Sequence, residues 1–342
     1  MKKYLLPETG NFYKANLHCH TTVSDGRLTP EEVKELYKSQ GYSVVAYTDH
    51  NLLISHNDLT DSEFLALNGV ELDVGGKKIE GASDYSKVCH FCLIALEPDN
   101  HINPFWHRSL YKTPGNVDKN AKYALFDDSK PDYMRTYTPE CISEMMSGSR
   151  ELGFFVTYNH PTWSRESYDE YMGYRGMHAL EMFNGSCISM GYDEYNPRVY
   201  EDILSTGQRI YAIGADDNHN HQPLDSRRSD SCVAFTMIKS ESLDYQAVTG
   251  ALLDGHFYAS EGPEIYELSY DEGKIHIETS LADRITVTYL GRGSAVAYSE
   301  ETPITSADFN IPANVGYFRL TVTDRSGKRA VTNAYYLDEL MK

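Results

Sequence analysis

The chain has 342 residues, 41% of them hydrophobic, enough for a large catalytic core and a small second domain. Its 31 Lys and Arg stand against 50 Asp and Glu, and the formal net charge of −19 excludes nucleic acid or an anionic membrane as a bulk partner. No apolar run approaches the roughly 18–20 residues of a membrane span, the start has no signal-peptide pattern, and the six cysteines form no compact disulfide framework. A cytoplasmic protein with reduced thiols is expected.

In chain order, a first strand approaches Leu17 and delivers His18-Cys19-His20, with Ser24-Asp25-Gly26 after it. Thr29-Pro30-Glu31-Glu32 predicts a helix start, with a Thr cap, Pro at the first helical position and Glu three after the cap. Val33, Leu36 and Tyr37 continue at helical spacing and Gly41 ends the helix. The apolar run 44–47 delivers Asp49-His50, and 65–67 leads to Gly69-Val70-Glu71. His90 precedes its apolar run, 91–96, which places it on a hairpin-like strand beside Glu71. Residues 97–139 are a polar stretch, long for a plain connection, and read as a lid or flexible insert. Two further runs, 154–157 and 210–213, deliver Asn159-His160-Pro161 and Asp217-Asn218-His219.

Short apolar runs with polar ligands at their C-terminal ends are what a (β/α) barrel produces. From about residue 262 the pattern becomes alternating, as in Ile275/Ile277, Ile285/Val287/Tyr289 and Phe318/Leu320/Val322. The expectation is an α/β chain: a barrel over 1–258, carrying the insert 97–139, then an antiparallel β-sandwich over 259–342.

Imidazole and carboxylate hold zinc, manganese or iron. His18, His20, Asp25, His50, Glu71, His90, His160, Asp217 and His219 are too many for one ion and point to a multinuclear metal hydrolase. His-x-His at a strand end turns both imidazoles to one side, since side chains alternate with period two, and Asp217 and His219 repeat that spacing. Asp216 is the fallback for Asp217.

The ordered set His-x-His, Ser-Asp-Gly, Thr-Asp-His, Gly-Val-Glu, Asn-His-Pro and Asp-x-His resembles the PHP (polymerase and histidinol phosphatase) family of metal-dependent phosphoesterases, over roughly residues 12–222. The run Gly255-His256-Phe257-Tyr258-Ala259, with Gly262-Pro263, resembles the branch with a C-terminal β domain. The resemblance implies a distorted seven-stranded barrel with two to three divalent ions (Mn, Fe or Zn). His18, His20, Glu71 and Asp217 would hold one. Glu71 would bridge to a second, shared with His90 and His160. Asp25, His50 and His219 would hold a third. Many family members have His where this chain has Asp25, and a carboxylate there suits manganese or iron. The expected reaction is hydrolysis of a small anionic phosphate monoester or diester by a hydroxide bridging the ions, with Glu71 and Asp217 in the catalytic centre.

His221, just past the last ligand, is a candidate general acid. His56, His101, His107, His178 and His276 read as ordinary residues, and His256 as structural. Cys89-His90-Phe91-Cys92 reads as buried thiols rather than a zinc or redox pair. The tyrosine-rich run 168–174 reads as packing before substrate stacking. Arg108, Arg135, Arg165, Arg175 and Arg228 are candidates for the phosphate. The rival readings are an amidohydrolase acting on an amide or lactone, which usually needs a carboxylated Lys that cannot be placed here, and a non-catalytic metal-binding adaptor. Oligomeric state is open.

Overall fold

The computed structural model describes residues 2–76, 78, 80, 81 and 87–342. Seven strands lie side by side in chain order: Asn11–Asn16, Val44–Tyr47, Leu65–Gly75, Val88–Ala95, Phe154–Tyr158, Ala179–Asn184 and Tyr211–Ala215. The first three are parallel, as are the last three. Val88–Ala95 runs antiparallel to both of its neighbours. Its register sets Cys92 opposite Glu71 and His90 opposite Asp73, so His90 stands beside Glu71 as the apolar pattern implied.

The helix Pro30–Ser39 starts as predicted. Thr29 Oγ1 accepts from Glu32 N at 3.2 Å, and Glu32 Oε2 accepts from Thr29 N at 2.8 Å, satisfying two helix-end donors at once. Val33 and Tyr37 form its buried stripe. A longer helix, Pro139–Glu151, buries Ile142, Met145 and Met146 beside Phe154 and Val156.

The seven strands do not close into a hydrogen-bonded cylinder by a full ladder. Among the described residues, Tyr211–Ala215 pairs along one side only, with Ala179–Asn184. The gap on its other side is crossed by single contacts. Thr236 Oγ1 donates to Gly214 O at 2.8 Å and accepts from Gly214 N at 3.1 Å. Beyond the strand ends, Cys19 and Asn218 form a parallel bridge, with His20 N to Asn218 O at 3.0 Å and Asp217 N to His18 O at 2.9 Å. Gly214 is required there, because a Cβ would lie 2.7 Å from Phe235 O.

The large sheet continues past the seven strands. Phe235–Ser240 pairs antiparallel with Asn11–Asn16 and with Phe257–Ser260, which in turn pairs with Arg329–Thr332. Tyr317–Thr323, Arg284–Tyr289 and Ser294–Tyr298 extend it antiparallel. A second antiparallel sheet holds Lys3–Tyr4, Ile265–Asp271, Lys274–Ala282 and Ile304–Asn310. Ile265, Leu268, Ile275 and Ile277 of this sheet share one apolar cluster with Ile285, Val287, Leu320 and Val322 of the large one. The alternating pattern in the sequence is this shared core. Among the described residues, no helix is long and apolar enough to cross a membrane.

Candidate metal centre

The nine predicted ligands come together: those that follow the ends of four of the seven strands join Glu71 and His90, which lie within theirs. His18, His20, Glu71 and Asp217 offer ligand atoms within 4.8 Å of one another, and so do His20, Asp25, His50 and His219, and also His50, Glu71 and His90. Glu71 is central and fully buried. Its Oε1 lies 3.2 Å from His18 Nε2, 3.1 Å from His90 Nδ1 and 3.3 Å from His160 Nε2. Its Oε2 lies 3.3 Å from His20 Nε2 and 3.1 Å from His50 Nδ1.

Asp217 enters the same cluster. Its Oδ1 is 3.2 Å from His18 Nε2 and 3.0 Å from His20 Nε2, and its Oδ2 accepts from Asn184 Nδ2 at 3.1 Å. Strand alternation is not the reason. The strand ends at Ala215, and Asp217 sits at φ +53°, a turn in the left-handed region that swings it inward. Asp216 points away and accepts from Cys232 N, Val233 N, Ala234 N and Tyr37 Oη.

His20 belongs to two groups, which sequence reading did not foresee. Its Nε2 meets Glu71 and Asp217, while its Nδ1 is 3.9 Å from Asp25 Oδ1. His219 Nε2 is 3.5 Å from the same oxygen, and the His20 ring stacks at 4.3 Å on both His50 and His219.

The residues fit metal ions. His20 Nδ1, His50 Nδ1 and Glu71 Oε2 are buried without a hydrogen-bond partner, a costly state that coordination relieves. His18 Nε2 and His20 Nε2 are 3.1 Å apart, so a proton or a cation must lie between them. Burial disfavours the charged His50 and, with nearby His20, drops its pKa to about 3, leaving the neutral imidazole that metals bind. Burial opposes ionisation of Glu71, but His18 and then His90 outweigh it and hold Glu71 well below the usual carboxylate range.

Several supporting residues were missed by the sequence reading. Glu181 Oε1 takes His18 Nδ1 at 2.6 Å, and Oε2 accepts from His160 N at 3.1 Å and Asn184 Nδ2 at 2.9 Å. Such outer carboxylates fix ring orientation and tautomer. Its signal was a lone charge inside the apolar strand Ala179–Asn184. Asp49 accepts from Thr21 N, Thr21 Oγ1, Ser24 N and Ser24 Oγ, pinning the loop that carries His20 and Asp25. Asn159 Nδ2 donates to Glu71 Oε1 at 3.1 Å.

His221 is in none of the metal-ligand groups. It is exposed, its ring stacks 5.8 Å from that of His219, and its Nδ1 accepts from Arg27 Nε at 3.1 Å. Cys89 and Cys92 are free, buried, and three apart on one strand, hence on opposite faces. Tyr171 and Tyr174 pack in the core and donate to Asp202 and Glu166. Arg108 pairs with Asp132, and Arg175 donates to the carbonyls of Met172 and Tyr174. Arg165 and Arg228 are exposed. Arg135 is buried, stacked 3.9 Å from the Tyr111 ring centroid, and donates to Asn51 Oδ1 and Asp73 O.

The insert 97–139 reaches the rim of the centre at two places. Asn116 and Asn120 bond the carbonyls of Thr22 and Val23 beside Asp25, while Thr113 O and Arg135 meet Asn51 beside His50.

No family model matches the chain. Over 63 residues it is 38% identical to a 5'-3' exoribonuclease of Haemophilus influenzae, a stretch covering 18% of this chain and 22% of that protein. The chain thus spans about a fifth of the length of the curated relative it matches. A solved two-domain protein of Bacteroides vulgatus, containing a predicted PHP-like metal-dependent phosphoesterase, is 15% identical with a TM-score of 0.47, covering 98% of this chain and 97% of that one. An amidohydrolase of Chromobacterium violaceum, solved with sulfate and no metal, is 16% identical with a TM-score of 0.34, covering 60% of this chain and 87% of that one.

Proposed function

We propose that this chain is a metal-dependent hydrolase acting on a small phosphate monoester or phosphodiester. One observation carries the reading: a buried carboxylate, Glu71, divides its two oxygens among five imidazoles, with Asp217 closing the group. His18, His20, Glu71 and Asp217 would hold one ion. Glu71, His90 and His160 would hold a second, and Asp25, His50 and His219, joined by His20, a third. Bound ions of the manganese, iron or zinc kind acidify water and neutralise charge on a phosphoryl group.

The chain's own residues do the positioning. Glu181 orients His18, Asp49 orients the loop of His20 and Asp25, and Asn159 and Asn184 hold Glu71 and Asp217. We read the seven strands as a distorted barrel around this centre, 1–258 as the catalytic unit and 259–342 as a β-sandwich unit. The free thiols suit a reducing compartment such as the cytoplasm.

The test is turnover of a chromogenic phosphate monoester, a phosphodiester, an amide and a lactone by protein reconstituted with manganese, iron or zinc. Phosphate-ester turnover lost on chelation is expected. Turnover of the amide or lactone alone would make it an amidohydrolase, and no turnover of any would leave a metal-binding protein.

A further inference from the structure

A phosphate ester arriving at this centre meets a protein of net charge −19. Several surface cations pair with carboxylates, as Arg108 does with Asp132 and Arg209 with Asp338 and Glu339. Arg27 is different. It follows Asp25 and Gly26 directly, and its backbone N donates to His219 O at 2.9 Å, so it is fixed between two ligands of the third group. Its side chain is exposed, and among the described residues no carboxylate lies within ion-pairing distance of it.

Among the described residues its one side-chain bond is to His221. Arg27 Nε donates to His221 Nδ1 at 3.1 Å, and an arginine only donates, so His221 Nδ1 is the acceptor. The neutral ring therefore carries its proton on Nε2, a second donor. The His221 ring lies nearly parallel to that of His219, 12° between planes at 5.8 Å, which holds it at the edge of the metal centre. Among the described residues neither Nη group of Arg27 has a hydrogen-bond partner, and a guanidinium fork matches two oxygens of a phosphoryl group.

We propose that Arg27 and His221 form the anion subsite of this centre, gripping non-bridging phosphoryl oxygens of the substrate and selecting phosphate esters over neutral amides and lactones. The proposal deepens the phosphoesterase reading and rests on it. It assigns His221 to binding through Nε2–H, in place of the proton-donating role its position in the sequence suggested. The ligand class is a phosphate monoester dianion or an equivalent small oxyanion.

Two measurements on the full-length, metal-loaded protein keep the two readings apart. The first is turnover of a phosphate monoester by the unaltered protein, which tests the phosphoesterase reading alone. The second is the affinity for inorganic phosphate, by calorimetry, of the unaltered protein, R27Q, R27K and H221Q, with metal content and melting temperature checked for each. Loss of a charge-assisted hydrogen bond is expected to weaken phosphate binding about tenfold or more in R27Q, less in H221Q, with R27K between. The same order is expected in KM, with kcat changed less. Phosphate affinity unchanged in R27Q at full metal content overturns the subsite, whether or not the enzyme turns over. So does absence of phosphate binding by the unaltered protein. Weaker binding in R27Q without any phosphate-ester turnover would keep the subsite and overturn the phosphoesterase reading.

Discussion

Adjacent aspartates illustrate how burial alone fails to assign a role. Asp216 and Asp217 are both buried, yet Asp217 faces imidazoles and Asp216 faces three backbone N–H groups and the Tyr37 hydroxyl. Asp217→Asn should weaken metal binding by more than the roughly 10–100-fold typical of outer-shell changes, with the fold intact. Asp216→Asn should cost about 1–3 kcal/mol of stability instead, because an amide NH2 would confront donors. Metal titration and denaturant melts of both variants separate the effects, and a larger metal defect in Asp216→Asn would reverse the assignment. Glu166 supplies a pH test away from the centre. Burial raises its pKa from 4.5 to about 7, although Tyr158, Tyr174 and Tyr137 all donate to it. The folded state then holds a proton that the unfolded state has lost, so stability falls as pH rises from about 4.5 to about 7. Glu166→Gln should flatten that part of the curve, and matching pH slopes for the two proteins in denaturant melts would exclude it. The residues of the candidate metal centre were legible because they stand in short motifs. Glu181 and Asp49 were not assigned, because a supporting carboxylate is recognised by what it touches, and His18 and Thr21 are far from them in sequence.

Elements were legible where one physical rule governs them. The capping box and its stripe define Pro30–Ser39, and the apolar run defines Val44–Tyr47. Leu65–Gly75 is longer than its apolar run, since pairing with Val88–Ala95 carries it through Glu71 and Asp73. The insert was legible as a lid or flexible segment, but not in where it docks, because its contacts, the backbone bond from Asn116 N to Ser24 O among them, follow no periodicity. Gly115 marks the tightest of them: it has φ +61°, and a Cβ would stand 2.2 Å from Ser24 O. Gly115→Ala should push the insert off the loop carrying Asp25. Faster proteolytic cleavage within 97–139, and weaker binding of the last ion in a metal titration, are expected. Unchanged cleavage would mean that the loop is held without this contact.

At the scale of the molecule, the centre gathers buried carboxylates and imidazoles in groups that could hold metal ions, so metal should stabilise the fold by mass action. Chelation is expected to lower the melting temperature by about 5 °C or more. Equal melting curves with and without metal would count against coordination by this centre. Chain continuity bears on truncation too. Asn333 Oδ1 accepts from Ala212 N, and its Nδ2 donates to the carbonyls of Gly255 and Phe257. Val331 shares an apolar cluster with Leu180 and Tyr200. A chain ending at residue 258 should therefore lose cooperative melting, read by calorimetry, and a sharp transition at the full-length temperature would show that the last strands are dispensable. That continuity was not legible, because strand pairing across distant segments leaves no mark in local composition.

The bridge between Cys19 and Asn218 has a consequence for biosynthesis. His18 and His20 are made long before Asp217 and His219, and Lys3 long before its partner Tyr270. Contacts this distant close slowly, since loop entropy is spent before the contact forms. The nascent chain therefore offers early histidines to any passing ion long before the full set of ligands exists. Which ions a centre of this kind would take is then expected to depend on the metals its surroundings supply when the two ends meet.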